Sequence, residues 1–166
     1  MEAILTRQNI RKYTDQPVSD DLVTQVLRAA MAAPSAGNQQ PWQFIVVRDR
    51  DSLEAISTAS PYSEMARDAQ VAVVVCGDLT REERSGYWML DCAAATENLL
   101  VAANSLGLGA LWLYFYPRHE RIDALRALLD LPQQIIPFAV VPIGYPAEDP
   151  AQVDPFRPEL VHFERW

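Results

Sequence analysis

Apolar positions recur along the chain with two different periods, one typical of helices and one typical of buried strands. A helical spacing of apolar residues runs from Leu22 to Ala30. Ser19 precedes this run as a capping residue, and Pro34 ends it. Runs of apolar and β-branched residues at 42–47 and 71–76 instead predict strands, and the second reads as a strand buried on both faces.

The alternation continues through the second half of the chain. We predict further helices at 2–7, 52–57, 87–106 and 118–129, and further strands at 110–115 and 138–143. Because proline cannot donate to a sheet ladder, Pro142 places the end of the last strand near an edge or a bulge. Helices should therefore cover both faces of a sheet.

After Gly144 the character of the sequence changes. Four prolines make residues 145–159 an extended, non-helical segment, and the chain closes in the apolar run 161–166. An apolar end needs a surface against which it can be buried. No repeat or linker divides the chain, so we predict one domain over residues 1–166 with a C-terminal arm at about 145–166.

The charge balance and the hydropathy exclude several classes of function. A net charge of −8 argues against a nucleic-acid-binding or membrane-surface role, because either role requires a basic surface. No apolar run reaches the ~18 residues of a transmembrane helix, and residues 1–13 lack the apolar core of a signal peptide. We therefore expect a cytoplasmic protein with no nucleic-acid or membrane partner.

The usual centres of enzymatic chemistry are not evident in the sequence. Cys76 and Cys92 lie in apolar segments without metal spacing, which predicts buried free thiols, and His119 and His162 are too isolated for a metal site. The glycines of segment 107–109 lack the third glycine of a dinucleotide fingerprint and follow a helix. We expect no bound metal, and a bound cofactor could supply the reactivity.

Two polar clusters remain as candidates for ligand binding. Arg7 and Arg11 flank Gln8 and Asn9, so that two guanidiniums and two amides could grip a phosphate and a polar ring edge. The alternative is a solvated basic face that pairs with surface carboxylates. The loop Pro34–Trp42 has two prolines, a glycine and three side-chain amides, which suits a planar polar ligand. Alternatively, its amides satisfy only the backbone of the loop.

Taken together and in order, several sequence blocks resemble the FMN-dependent nitroreductase family in its short form. The blocks are Arg7–Tyr13, Pro34–Trp42, Asn98–Leu100, Gly107–Trp112, Gly144–Pro146 and His162–Trp166, which span nearly the whole chain. The resemblance implies an α+β fold with a central mixed sheet flanked by helices. It also implies an intertwined homodimer in which the C-terminal arm wraps the partner and FMN lies at the interface.

The resemblance further implies which residues hold the cofactor. In one chain, the phosphate, the ribityl chain and the pyrimidine edge would be contacted by Arg7, Gln8, Asn9 and Arg11. The partner chain would contribute Pro34, Ser35, Ala36, Asn38 and Gln40. The flavin ring would be lined by Trp112 and Leu113.

Three departures from the family pattern concern the cofactor and substrate sites. Asn9 stands where serine is common, with little loss of hydrogen bonding. Tyr114 stands where glycine is common, which narrows the substrate pocket. Pro155 takes the place of an arm arginine that helps to hold the phosphate, so Arg157 becomes the candidate replacement. The alternative is a surface Arg157 that pairs with a neighbouring carboxylate.

The resemblance implies an oxidoreductase in which NAD(P)H and an electron-poor acceptor use the same flavin site in turn, with ping-pong hydride transfer. The acceptor would be a nitroaromatic or a quinone. The flavin carries the chemistry, so no side chain is assigned as catalytic and Arg11 serves as an electrostatic stabiliser. Two alternatives stay open: a flavin-binding carrier or sensor without turnover, and an enzyme on the same fold that consumes the flavin.

Overall fold

Helices and strands alternate along the chain, as the hydrophobic pattern predicts. The computed structural model describes residues 1–151 and 154–166, so positions 152 and 153 of the predicted arm lie outside the described residues. The helices are α1 Glu2–Leu5, α2 Asp20–Met31, α3 Arg50–Thr58, α4 Trp88–Ser105 and α5 His119–Leu128. The strands are β1 Trp42–Val47, β2 Val71–Asp78, β3 Gly109–Ala110, β4 Leu113–Tyr114 and β5 Ile135–Gly144.

The sheet has the order β1-β2-β5-β3, and β4 also pairs with β5. All four strand pairs are antiparallel. We expected a mixed sheet. In the part of the chain that the structure describes, the only parallel pairing is one bridge between Asn9 and Ala110. Strand β5 is therefore interior, with β2 on one side and β3 and β4 on the other.

Pro142 was expected to mark a sheet edge or a bulge, and the structure shows it at neither. Pro142 lies in the interior strand β5, opposite Ala72, and not at an edge. The irregularity of β5 falls instead where Val75 pairs with Ala139 and Cys76 with Pro137, so that one residue of β5 is extra.

The predicted strand at 110–115 is divided into β3 and β4. Both strands follow the same register on β5, so the gap at 111–112 falls opposite Val141 and Pro142. The carbonyl of Pro142 faces this side of the sheet, since it accepts a hydrogen bond from the Tyr13 hydroxyl at 3.4 Å. Proline has no N–H to donate there, which leaves the ladder incomplete.

Helices cover both faces of the sheet, as predicted. Strand β2 is buried on both faces, and its side chains point alternately into two apolar clusters. One cluster joins β2 to α2 and α4, and the other joins it to α3 and α5.

The two longer helices on the first face begin and end as the sequence predicts. The Ser19 hydroxyl accepts a hydrogen bond from the Leu22 N–H at 3.3 Å and caps α2. Helix α4 ends before Gly107, which has a φ of +74°. Among the described residues, no helix combines the length and the apolar character needed to cross a bilayer.

Both cysteines are buried free thiols, as expected. The Cys92 sulfur lies 3.6 Å from the carbonyl oxygen of Cys76. Burial raises the pKa of the Cys76 thiol to about 12. Burial also raises the pKa of Cys92, and the neighbouring Cys76 and Asp91 raise it further. Since the thiolate is the reactive form, neither group is an active nucleophile in the folded protein.

We expect Ellman's reagent to label neither Cys76 nor Cys92 in the native protein at mildly alkaline pH, and both after unfolding in guanidinium chloride. The measurement is the time course of thionitrobenzoate release, with Cys92→Ala as the control for a single thiol. Rapid release from the native protein would contradict the buried placement.

Candidate functional site

The N-terminal segment 7–14 lies along the edge of the sheet beside β3. The Ile10 N–H donates to the Ala110 carbonyl at 3.1 Å. This approach requires a glycine at position 109, because a Cβ there would lie 2.6 Å from the Ile10 side chain. The segment therefore carries its two arginines to the part of the sheet formed by β3 and β4.

Arg7 is oriented by two neighbouring side chains. Its Nε lies 3.6 Å from Glu97 Oε1 on α4, and its Nη1 donates to Asn9 Oδ1 at 3.3 Å. Gln8 is half-buried and Asn9 is exposed. A partly exposed ion pair of this kind contributes about 1 kcal/mol or less. Glu97 thus orients Arg7 but leaves it able to bind an anion.

A cavity of about 320 Å³ brings Arg11 together with Trp112 and Leu113. Its wall also includes Tyr62 and Tyr114. Leu113 is buried, Trp112 is half-buried and Arg11 is exposed. Three of the residues expected around a flat ring therefore share one cavity.

The cavity walls are aromatic and carry a second cation. The rings of Trp112 and Tyr114 stack with centroids 5.0 Å apart and planes at 16°. Arg121 donates to the Tyr114 carbonyl at 2.7 Å and lies 5.4 Å from the centre of the Tyr62 ring. Within the described residues, the buried Trp112 Nε1 has no hydrogen-bond partner. These walls suit a flat ring with polar edges.

The loop Pro34–Trp42 is anchored to α4 by a buried carboxylate. The Ala36 N–H donates to Asp91 Oδ1 at 3.0 Å, and Asp91 is only 5 % exposed. The Ser35 hydroxyl accepts from the Gln40 N–H at 3.0 Å. These contacts fix the backbone of the loop in a short 3₁₀ turn, in which Gly37 adopts a φ of +61°.

The three amides of this loop behave differently. Gln39 is committed to the protein: its Oε1 accepts from the N–H groups of Glu83 and Arg84, and its Nε2 donates to the Ala36 carbonyl. Asn38 and Gln40 are exposed, and their side chains make no hydrogen bond to another described residue. The alternative that the amides satisfy only the backbone of the loop does not hold for Gln39, because it also accepts from two N–H groups outside the loop. Pro34 is exposed, whereas Ser35 and Ala36 are half-buried.

The loop and the arginine segment do not meet within one chain. The loop contacts α4 at Asp91, and Arg7 contacts it at Glu97, six residues later. Six residues correspond to about 9 Å along a helix and to a different face of it. No hydrogen bond or ion pair joins the two segments in the described part of the chain.

Arg157 stands apart from the other predicted site residues. It is exposed and precedes the 3₁₀ turn Pro158–Leu160, where the Leu160 N–H donates to its carbonyl at 3.1 Å. All of the described residues from 154 to the end of the chain are exposed, and the rings of Phe163 and Trp166 are 84 % and 101 % accessible. The apolar end of the chain is therefore not buried against the rest of the described structure.

A comparison with protein-family models decides the relationship of this chain to known proteins. The model described as the nitroreductase family matches residues 4–61 and 57–145. The chain belongs to the nitroreductase family. A Methanothermobacter thermautotrophicus protein, provisionally named NADH dehydrogenase/NAD(P)H nitroreductase, is 48 % identical over 166 residues, which cover 100 % of this chain and 87 % of that protein.

Two solved structures of nitroreductases share the fold. An FMN-dependent nitroreductase from Clostridium difficile has a TM-score of 0.93 and 27 % identity, with 100 % of both chains covered. A provisionally named nitroreductase in complex with FMN, from Desulfovibrio desulfuricans, has a TM-score of 0.84 and 32 % identity, with 99 % of this chain and 96 % of that chain covered. The α+β nitroreductase fold expected from the sequence is confirmed.

Several residues at the site of this nitroreductase were not predicted from the sequence. Tyr62 and Arg121 reach the cavity from segments far apart in the chain. Asp91 anchors the loop from within α4. No local motif marks these positions, because their role depends on side chains brought together by the fold. The hydrophobic period of α4 could have placed Asp91 on its buried side.

Proposed function

We propose that this nitroreductase is an FMN-dependent oxidoreductase that uses NAD(P)H to reduce an electron-poor acceptor, a nitroaromatic or a quinone. The observation that carries the proposal is the cavity in which Arg11, Trp112 and Leu113 meet. Bound FMN would supply the electron transfer between the two substrates. The alternation of the two substrates at one site predicts ping-pong kinetics.

The residues present fit FMN in charge and in shape. Arg7 offers a guanidinium for the phosphate, with only a weak ion pair to displace. Trp112 and Tyr114 offer flat walls for the ring. The exposed side chains of Asn38 and Gln40 remain available for polar contacts.

Each of the chain's own groups has a separate task in this proposal. Arg7, with Gln8 and Asn9, holds the phosphate end of the cofactor. Arg11 places a positive charge at the ring edge, where negative charge accumulates on reduction. The aromatic walls exclude water from one side of the ring. No side chain is assigned as a proton donor, so the proton that the acceptor takes up with the hydride would come from water.

We also propose that the complete site forms only in a homodimer. The loop Pro34–Trp42 and the Arg7–Arg11 segment lie apart in one chain, and a second copy could bring them together. The exposed apolar residues at the end of the arm would then be buried on the partner. Arg157 stays a prediction as a phosphate ligand, as do the single domain over 1–166 with its arm and the cytoplasmic location.

The test is a visible spectrum of the purified protein, followed by anaerobic addition of NADH and of NADPH. A flavin band that bleaches with either nucleotide and returns on addition of a quinone supports the proposed function. A bound flavin that stays oxidised supports the alternative of a carrier, which Tyr114 favours because its ring forms part of the cavity wall. A colourless protein that gains no FMN on reconstitution would exclude both.

Arg7→Ala and Arg11→Ala are expected to have different effects. Arg7→Ala should weaken FMN binding by roughly tenfold or more, because a charge-assisted hydrogen bond is worth ~1.5–3 kcal/mol. Arg11→Ala should also lower the midpoint potential of bound FMN, because the cation that favours the more negative reduced form is lost. Fluorescence titration with FMN and a redox titration measure the two effects. An unchanged midpoint potential in Arg11→Ala would contradict the role of Arg11 as an electrostatic stabiliser.

A further inference from the structure

The start of the arm pairs with the segment that carries Arg11. The Ala147 N–H donates to the Lys12 carbonyl and the Thr14 N–H donates to the Tyr145 carbonyl, both at 2.9 Å. Tyr13 and Pro146 form an antiparallel bridge between these contacts. Two short stretches of extended chain are thereby held side by side next to the sheet.

Glu148 completes this pairing with its side chain. Its Oε1 accepts hydrogen bonds from the backbone N–H groups of Arg11 and Lys12, the second at 3.2 Å. One carboxylate oxygen thus satisfies two consecutive backbone donors that no strand covers. Hydrogen bonds to a charged acceptor are about twice as strong as neutral ones, so this contact strongly restrains the backbone at Arg11.

The Glu148 carboxylate does not neutralise the Arg11 side chain. Among the described residues, the ion pairs join Arg7 to Glu97, Arg48 to Asp20 and Arg67 to Glu54. Arg11 is in none of them and is one of the residues that line the cavity. Glu148 therefore restrains the backbone of Arg11 while the charge of that arginine stays free for a ligand.

We propose that Glu148 is a positioning residue that acts through Arg11. By binding the Arg11 and Lys12 N–H groups, it holds the Arg11 side chain at the cavity and ties that position to the start of the arm. The inference rests on the proposed function, since it takes FMN as the ligand of the cavity. Without the carboxylate, the two backbone donors are free to turn toward water, and the guanidinium spends less time at the ring edge.

A double-mutant cycle tests whether Glu148 acts through Arg11. The apo forms of the parent, Glu148→Ala, Arg11→Ala and the double variant are titrated with FMN by fluorescence quenching. We expect Glu148→Ala to weaken FMN binding about tenfold in the parent background, as for the loss of charge-assisted hydrogen bonds. In the Arg11→Ala background we expect no further loss. Equal losses in both backgrounds would overturn the proposal.

Two further variants separate positioning from folding. Glu148→Gln keeps a neutral acceptor oxygen for both N–H groups and should lose clearly less FMN affinity than Glu148→Ala. Asp149→Ala alters the exposed neighbouring carboxylate, which makes no hydrogen bond in the described structure, and should bind FMN like the parent. A Glu148→Gln variant as weak as Glu148→Ala would overturn the positioning role. A parent protein that binds no FMN would instead refute the proposed function itself.

Discussion

A protein that lacks residues 154–166 is expected to be monomeric and to lose most of its FMN. The removed segment carries Phe156, Leu160, Phe163 and Trp166, all of them exposed in the protomer. Complete burial of such a side chain contributes roughly 1.5–3 kcal/mol. Four of them therefore contribute about 6–12 kcal/mol before the cost of ordering the arm. That amount is comparable with the ~4–15 kcal/mol that association costs, so its loss should shift the protein toward the monomer.

Light scattering after gel filtration measures the oligomeric state, and the ratio of flavin to protein absorbance measures the FMN content. The matched control is the full chain with Glu159→Gln and Glu164→Gln, which changes the charge of the same segment but keeps its apolar groups. This control should remain dimeric. A truncated protein that is dimeric with full flavin would show that neither the interface nor the cofactor depends on this segment.

Phe115→Ala is expected to remove a large part of the stability of the fold. Phe115 is fully buried, and it packs in the cluster formed with α3 and α5. Truncation of a buried phenylalanine to alanine costs about 3–5 kcal/mol, because apolar contacts are lost and a cavity remains. A typical domain has a total stability of about 5–15 kcal/mol. We expect the melting temperature to fall by roughly 10 °C.

The adjacent Tyr114, the last residue of β4, offers a control because it is exposed rather than buried. Tyr114 is exposed and touches Trp112 through ring stacking, so Tyr114→Ala should cost only about 1 kcal/mol. Urea unfolding of the apo proteins, at one fixed protein concentration, gives the loss in free energy of unfolding for each variant. Similar losses for the two variants would contradict the buried placement of Phe115 and the exposed placement of Tyr114.

The elements that could be predicted from sequence are those whose signals are local. The strand at 42–47 was predicted with its observed bounds, and that at 71–76 was predicted two residues short. The Ser19 cap and the C-terminal end of α4 also follow from residues next to them in the chain. By contrast, which residues of a strand are paired depends on a neighbouring strand that is far away in the sequence.

The division of strand 110–115 shows this dependence. Nothing within that segment breaks a strand; the interruption arises because Pro142 faces it from β5. Similarly, β5 begins at Ile135, three residues earlier than predicted, and includes Pro137, which pairs with Cys76 beside the bulge. Pro142 was expected near the end of its strand at an edge or a bulge, but it lies within the interior strand β5.

The candidate site was predictable to the extent that it has a family motif. Arg11, Trp112 and Leu113 were selected from sequence blocks, and the structure brings them to one cavity. Glu148 and Arg121 could not be selected in this way. Glu148 accepts from two backbone N–H groups far away in the sequence, and Arg121 donates to the Tyr114 carbonyl. Such side-chain contacts with the backbone leave no spacing pattern in the sequence.

Alternate side chains of β2 belong to two different apolar clusters, and this has a consequence for the dynamics of the protein. Val71, Val73 and Val75 belong to one apolar cluster, and Ala72 and Val74 belong to the other. Because a single strand supplies both clusters, neither layer of helices can detach without uncovering groups that the other layer needs. The two layers therefore form one cooperative unit, and the amide hydrogens of β2 should exchange with solvent only when the whole molecule unfolds.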